Sequence, residues 1–454
     1  LNDIITGSVA HLKATYKEIL HIALPLILGN LAWTCNGLFD TIFVGNLGKV
    51  ELDAIGFASV FYSVLFMMGF SFTRGTQLLI ARRMGELNKP EVGNVLDNTI
   101  ITLTAVAVVL FVLIKVYTHQ ILSFMLTNNE IIEKCEVFLS YRIYGLIPSF
   151  ISFIFIAFYS GIGRTVILSI SVALMTAVNI FLNYGLVYGK FGLPEMGIGG
   201  SGTATSISET LAVAVLIGGT FVGKRAQEFH LYKFKKYDLA LLKQMVKISV
   251  PLTLQSLAAV GGWLLFFSKV ESKLGTDALA VSSIYRQLIL FFTIPTWSLG
   301  STANTIISNL MGQRDYPEIK VAIRRISLIS LLFALFSCGL IYLFPDFCLG
   351  IFLNKFDTAS IVPMAEGSLH VVFGIFILMS FGNIVYNGVI SVGDIFIALA
   401  IEIVVVIIYI GYFMFILNQD WATIGWVWTA EWIYWISMLI GSLIFFKFRK
   451  LEVV

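Results

Sequence analysis

Asn36 and Asp40 stand four residues apart in the apolar stretch PLILGNLAWTCNGLFDTIFVGNLG, residues 25–48, and so share one face of a helix. Asn179 and Asn183 repeat that spacing in VNIFLNYGLVYG, and Ser201, Thr205 and Glu209 do so in GIGGSGTATSISET. A carboxyl group inside an apolar helix is costly and marks a functional position. Brought together, the three faces would surround Asp40 with amide and hydroxyl oxygens. Such a pocket suits a hard cation such as Na⁺. It can equally hold a proton, because burial away from water favours the neutral form of a carboxyl group. Either occupancy changes the charge at Asp40 and can bias two conformations of the protein.

The second half of the chain distributes its polar residues differently. PLTLQSLAAVGGWLLFF carries Gln255 and Ser256, and GIFILMSFGNIVYNGV carries Ser380, Asn383 and Asn387. Glu402 is either a second ionisable site or a side chain reaching for the membrane surface. Glu431 lies among Trp426, Trp428, Trp432 and Trp435, which read as an aromatic wall for an apolar or cationic solute or as an interfacial belt. Arg74 either faces a cavity or pairs with Glu209 or Asp40. The four cysteines lack a CxxC pair and the five histidines lack metal-ligand spacing, so the cysteines read as small buried apolar residues. No paired catalytic groups suggest an enzyme.

These residues need membrane helices to position them. Of 454 residues, 58% are hydrophobic and 13% charged, with a mean hydropathy of +0.89. Soluble domains carry about 25% charge, so a soluble fold is excluded. The apolar runs are too long and unalternating for a β-barrel. A net charge of +3, with no basic tract interleaved with aromatics, gives no sign of nucleic acid. About twelve transmembrane helices are predicted, with no cleavable signal peptide. One set of helix ends holds 20 of the 30 Lys and Arg, which places both termini in the cytoplasm. Pro25 and Pro251, Leu47-Gly48 and Leu274-Gly275, Met84-Gly85 and Met311-Gly312, and Pro90-Glu91 and Pro317-Glu318 recur at a spacing of 226 or 227 residues. The expected architecture is therefore an all-α polytopic membrane protein of two six-helix pseudo-repeats around a central cavity. An N-lobe would cover 1–222, a cytoplasmic linker 223–244, and a C-lobe 245–454. Paired bundles of this kind suit transport by rocking about a shared site.

At this point the chain resembles the multidrug and toxic compound extrusion (MATE) family. The resemblance rests on ALPLILGNLAWTCNGLFDTIFVGNLG, LLIARRMGELNKPEVGNV, FYSGIGRT, VNIFLNYGLVYGKFGLPEMGIGGSGTAT and the echo ISNLMGQRDYPEIKVAIRR, and spans about residues 15–446. It implies antiport: efflux of amphipathic, often cationic organic compounds in exchange for H⁺ or Na⁺, with no other cofactor. It also implies that Asp40, Asn179, Asn183 and Thr205 form the cation-coupling site, and that the first helix bends at Pro25. Asn36, Arg74, Gln255, Ser380, Asn383 and Glu402 are secondary candidates. Asn183 stands where some branches carry a second Asp, which favours H⁺. Ala259 and Ser380 stand where other branches carry C-lobe acids, so coupling is expected to rest on Asp40. The implied setting is a bacterial inner membrane, with the lipid bilayer and a small molecule as partners and a monomeric state. The rival reading is a lipid-linked oligosaccharide flippase, which would draw on Arg74, Arg142 and Arg286 for a pyrophosphate group.

Overall fold

A computed structural model describes residues 11–126, 128–234, 237–350 and 358–449. Lys235, Lys236 and Lys450, counted above with the cytoplasmic charges, lie outside these ranges. The regular structure of the described residues is all helical. The spans are α1 (Tyr16–Gly45), α2 (Lys49–Gly85), α3 (Lys89–Met125), α4 (Asn129–Gly161), α5 (Val166–Tyr188) and α6 (Ile198–Phe221). The second series is α7 (Leu239–Leu274), α8 (Thr276–Phe292 with Ile294–Gln313), α9 (Tyr316–Leu343), α10 (Leu369–Val392), α11 (Ile395–Leu417) and α12 (Ile424–Phe448). Eleven are long and apolar enough to cross a membrane, and α8 makes twelve if its two pieces, bent by 47°, count as one span. The bend falls at Thr293, just before Pro295, whose missing N–H and fixed φ break the ladder. At 37 residues, α2 and α3 reach about 55 Å and project well past a hydrocarbon core of about 30 Å. Side chains such as Leu28, Leu264, Phe336 and Ile407 lie exposed on the spans, as lipid-facing positions do.

The repeated motifs have local structural reasons. Asn88 caps α3 by accepting from the Glu91 N–H, and Asp315 caps α9 by accepting from the Glu318 N–H. Pro90 and Pro317 occupy the first turn, where a missing N–H costs nothing. The Pro-Glu echo is therefore a repeated helix start.

The chain divides into two compact units, one built on Leu24–Ser249 and the other on His11–Ala23 with Val250–Val454. The changeovers lie one or two residues before Pro25 and Pro251, inside α1 and α7. His11–Ala23 belongs to the second unit through bonds from Leu12 N to Asn309 Oδ1 (3.1 Å) and from Arg325 Nη1 to Ala14 O (3.1 Å). Ser249 belongs to the first through its bond to Phe72 O, at 2.8 Å.

Within the first unit, α5 lies parallel to α1. Ser169 Oγ donates to Pro25 O (2.6 Å), Thr176 Oγ1 to Ala32 O (3.3 Å) and Tyr188 Oη to Phe43 O (2.7 Å). The sequence separation stays at 144 or 145 residues, the signature of two helices running the same way. Helix α6 closes on α5 because Gly200 lets it approach the Leu186 backbone; a Cβ there would fall 2.6 Å from the Leu186 carbonyl. The glycine cluster is thus a packing seam.

Connector residues 225–234 are docked on the same unit. Asp97 on α3 accepts from the backbone N–H groups of Tyr232, Lys233 and Phe234 at 2.9, 2.9 and 3.0 Å. Phe229 and Leu231 are buried.

Candidate functional site

Asp40 sits five residues before the end of α1, and the parallel contact with α5 delivers Asn183 to it. Asn183 Nδ2 donates to Asp40 Oδ1 at 2.7 Å. Thr205 Oγ1, from α6, lies 3.2 Å from Asp40 Oδ2 and 3.0 Å from Ser201 O. Asn179 Nδ2 donates to Thr205 Oγ1 at 3.1 Å, and Asn183 Nδ2 also reaches Asn179 Oδ1 at 3.0 Å. The four residues that the resemblance singled out therefore form one hydrogen-bonded cluster. Asn179 and Asn183 are fully buried. The side-chain oxygens of Asn36, Asn183 and Ser201 are buried without hydrogen-bond partners, which leaves acceptor capacity for a proton donor or cation.

The cluster forms part of the wall of a cavity of about 370 Å³ inside the first unit. Trp33, Asn36, Tyr62, Phe66, Arg142 and Glu209 also line it. Arg142 and Glu209 form a buried bidentate pair: Nη2 to Oε1 at 2.6 Å and Nη1 to Oε2 at 2.8 Å. Arg142 also donates to Tyr62 Oη (3.1 Å), and its guanidinium lies 4.0 Å from the Tyr62 ring centroid. Ser149 Oγ, 2.7 Å from Glu209 Oε2, completes the set. A 3₁₀ turn at Ile143–Gly145 breaks α4 directly after Arg142. Gly145 makes room there, since a Cβ would collide with Arg142 Nη1 and crowd Glu209. Glu209 thus meets Arg142, and Arg74 remains half-buried on α2.

The secondary candidates of the second unit lie within its own packing. Asn383 Nδ2 donates to Thr296 O (3.0 Å), and Ser380 Oγ to Ile377 O (2.7 Å). Gln255 Oε1 is buried without a partner. Glu402 is 1% exposed and accepts from Tyr434 Oη at 2.6 Å, so it does not reach for the surface. Glu431 is buried and accepts from Trp263 Nε1 at 2.8 Å. Of the tryptophans near it, Trp426 is exposed while Trp428 and Trp435 are buried.

Two series of membrane helices, and a carboxylate held by amides and a hydroxyl at a cavity wall, define a membrane transporter. The MatE family profile matches twice, over residues 25–185 and 251–414, each match opening at a repeat proline. The chain belongs to the MatE (MATE) family, whose members are transporters and not enzymes. It is 25% identical over 339 residues to Probable multidrug resistance protein NorM of Thermotoga maritima, covering 74% of this chain and 72% of that protein. It is 26% identical over 353 residues to Probable multidrug resistance protein YoeA of Bacillus subtilis, covering 76% and 75%. Among solved structures, a MOP superfamily transporter from Pyrococcus furiosus superposes with a TM-score of 0.86 at 18% identity, over 98% of this chain and 96% of that one. An outward-facing multidrug resistance MATE family transporter gives 0.85 at 18%, over 97% and 95%. These likenesses establish the fold.

Proposed function

We propose that the protein is an antiporter that exports amphipathic, cationic organic compounds in exchange for H⁺, with Na⁺ as the alternative coupling ion, and that Asp40 is the coupling carboxylate. The observation that carries this reading is the position of Asp40, bonded to Asn183 and Thr205 at the wall of an aromatic-lined cavity. Arg142 and Glu209 neutralise each other, so Asp40 supplies the uncompensated charge of that wall. One positive solute or one proton answers it.

The geometry around Thr205 suits a proton. A hydroxyl carries one hydrogen, and Thr205 has two acceptors in reach, Asp40 Oδ2 and Ser201 O. With Asp40 ionised, the hydrogen points to Oδ2. With a proton on Oδ2, the hydroxyl turns its own hydrogen to Ser201 O and accepts a hydrogen bond from the Oδ2 O–H. The bond from Asn183 to Oδ1 survives both states. A Na⁺ ion would instead draw on Asp40 with the spare oxygens of Asn36 and Asn183. Neutralisation removes the cost of a buried charge, and α1 repacks about Pro25, whose carbonyl is held by Ser169.

Both termini are assigned to the cytoplasmic side of a bacterial inner membrane, on the strength of the 20 of 30 Lys and Arg gathered at one set of helix ends. The flippase reading asks for cations free to meet a pyrophosphate, and the engagement of Arg142 with Glu209 speaks for export. The test uses proteoliposomes loaded with a fluorescent organic cation, under a pH gradient or a Na⁺ gradient. Efflux driven by the pH gradient should fall to the empty-liposome background in Asp40→Asn. Full gradient-driven efflux by that variant would sink the proposal.

A further inference from the structure

The second unit holds a buried acid that the Asp40 reading leaves unused. Glu431, on α12, is 4% exposed. Its Oε1 accepts from the Trp263 indole N–H of α7 at 2.8 Å. Trp435, on α12, and Tyr409, on α11, also face its carboxyl group. Among the described residues, no Lys, Arg or His nitrogen lies within 4.0 Å of it. The Tyr409 hydroxyl is buried and has no partner within hydrogen-bond distance, and the Glu431 carboxyl lies near it. Tyr434 on α12 lies near Glu431 and also near Glu402 on α11 and Tyr386 on α10. Tyr434 donates to Glu402 and senses the charge of both acids.

We propose that Glu431 is a second proton-binding carboxyl of this transporter, built into the second unit and read out by the Tyr409 hydroxyl. A buried carboxylate faced by neutral donors needs a neutralising ligand in a membrane. A proton meets that need without further oxygens or space. The donor set works in both states. Oε1 accepts from Trp263 whether or not the group is protonated. Tyr409 can donate to the carboxylate, or accept from the carboxylic acid. Glu431 lies seven residues, about 10 Å, into α12 from the end that the proposed topology puts outside, the side from which coupling protons arrive.

This inference goes beyond the Asp40 reading and is tested separately from it. Infrared difference spectra of purified protein in nanodiscs, between acidic and neutral pH, report each protonated carboxyl as its own C=O band. We expect the loss of one carboxyl equivalent in Glu431→Gln and its retention in Asp40→Asn. Tyr409→Phe should shift the midpoint of that same band and leave the others in place, which covers the case of a poorly folded Glu431→Gln. A Glu431→Gln spectrum identical to the wild type, or an unmoved midpoint in Tyr409→Phe, overturns the proposal. An Asp40→Asn spectrum identical to the wild type would sink the Asp40 reading and leave this one standing.

Discussion

The guanidinium of Arg142 grips the carboxylate of Glu209 through two parallel bonds, across 67 residues of chain and inside a lobe read as membrane-embedded. Both side chains are almost completely buried. The pair adds no net charge to the cavity it lines, and it fixes the break in α4 against α6. Its contribution is one of position and of charge balance. Removing one partner therefore differs sharply from removing both.

Arg142→Met should cost about 3–5 kcal/mol, because Glu209 is left charged and uncompensated in the apolar lobe. The double variant Arg142→Met with Glu209→Leu should recover most of that loss. Thermal unfolding of the detergent-solubilised single and double variants measures both. A double variant no more stable than Arg142→Met would show that the cost lies in packing, not charge.

Ser169 braces the carbonyl of Pro25, the acceptor one turn past the ladder bond that the proline lacks. Ser169→Ala should remove about 1 kcal/mol of local stability. Amide exchange in residues 21–29 should then speed up by about fivefold, while the stretch around Asp40 keeps its protection. Uniform exchange along α1 in the variant would mean that the hydroxyl does not hold the hinge.

Much of this was legible in the sequence, for identifiable reasons. Asp40 stands one turn after Asn36, Asn183 one turn after Asn179 and Thr205 one turn after Ser201, and that spacing fixes a shared face on each helix; the grouping of the three faces came from the family resemblance. The repeat was legible because Pro90 and Pro317 serve the same helix-start chemistry. The partnership of Arg142 was hidden because no acid stands within a helical turn of it in FLSYRIYGL. The helix begins at Asn129, which carries Arg142 deep into the span, and its partner lies two helices on. Asp97 was hidden differently. Its partners are backbone N–H groups, which leave no side-chain signature in the connector.

That connector gives a third prediction. Asp97→Ala strips three backbone N–H groups of their acceptor at once. Water can replace part of the loss, so we expect about 1.4 kcal/mol of local opening, equivalent to a tenfold rise in the open population. Proteolysis within residues 225–234 should accelerate by that factor, since cleavage tracks the open form when closing is fast. Unchanged cleavage would mean that the buried Phe229 and Leu231 hold the connector without Asp97.

The last prediction concerns the Thr205 hydroxyl, and it separates a switching role from mere packing. Thr205→Val keeps the shape and removes the hydroxyl that Asn179 and Asp40 share. It leaves two buried polar groups short of a partner, at about 1–3 kcal/mol, and removes the acceptor for a proton on Oδ2. Thr205→Ser keeps the hydroxyl and loses only a methyl group. If the hydroxyl turns between Asp40 and Ser201 as the carboxyl group gains and loses its proton, pH-driven efflux should fall at least tenfold in Thr205→Val and stay within about twofold of wild type in Thr205→Ser. Equal losses in the two variants would assign Thr205 to packing and leave Asn183 as the group that responds to the charge on Asp40. Equal retention would show that the carboxyl group takes up its proton without help from α6.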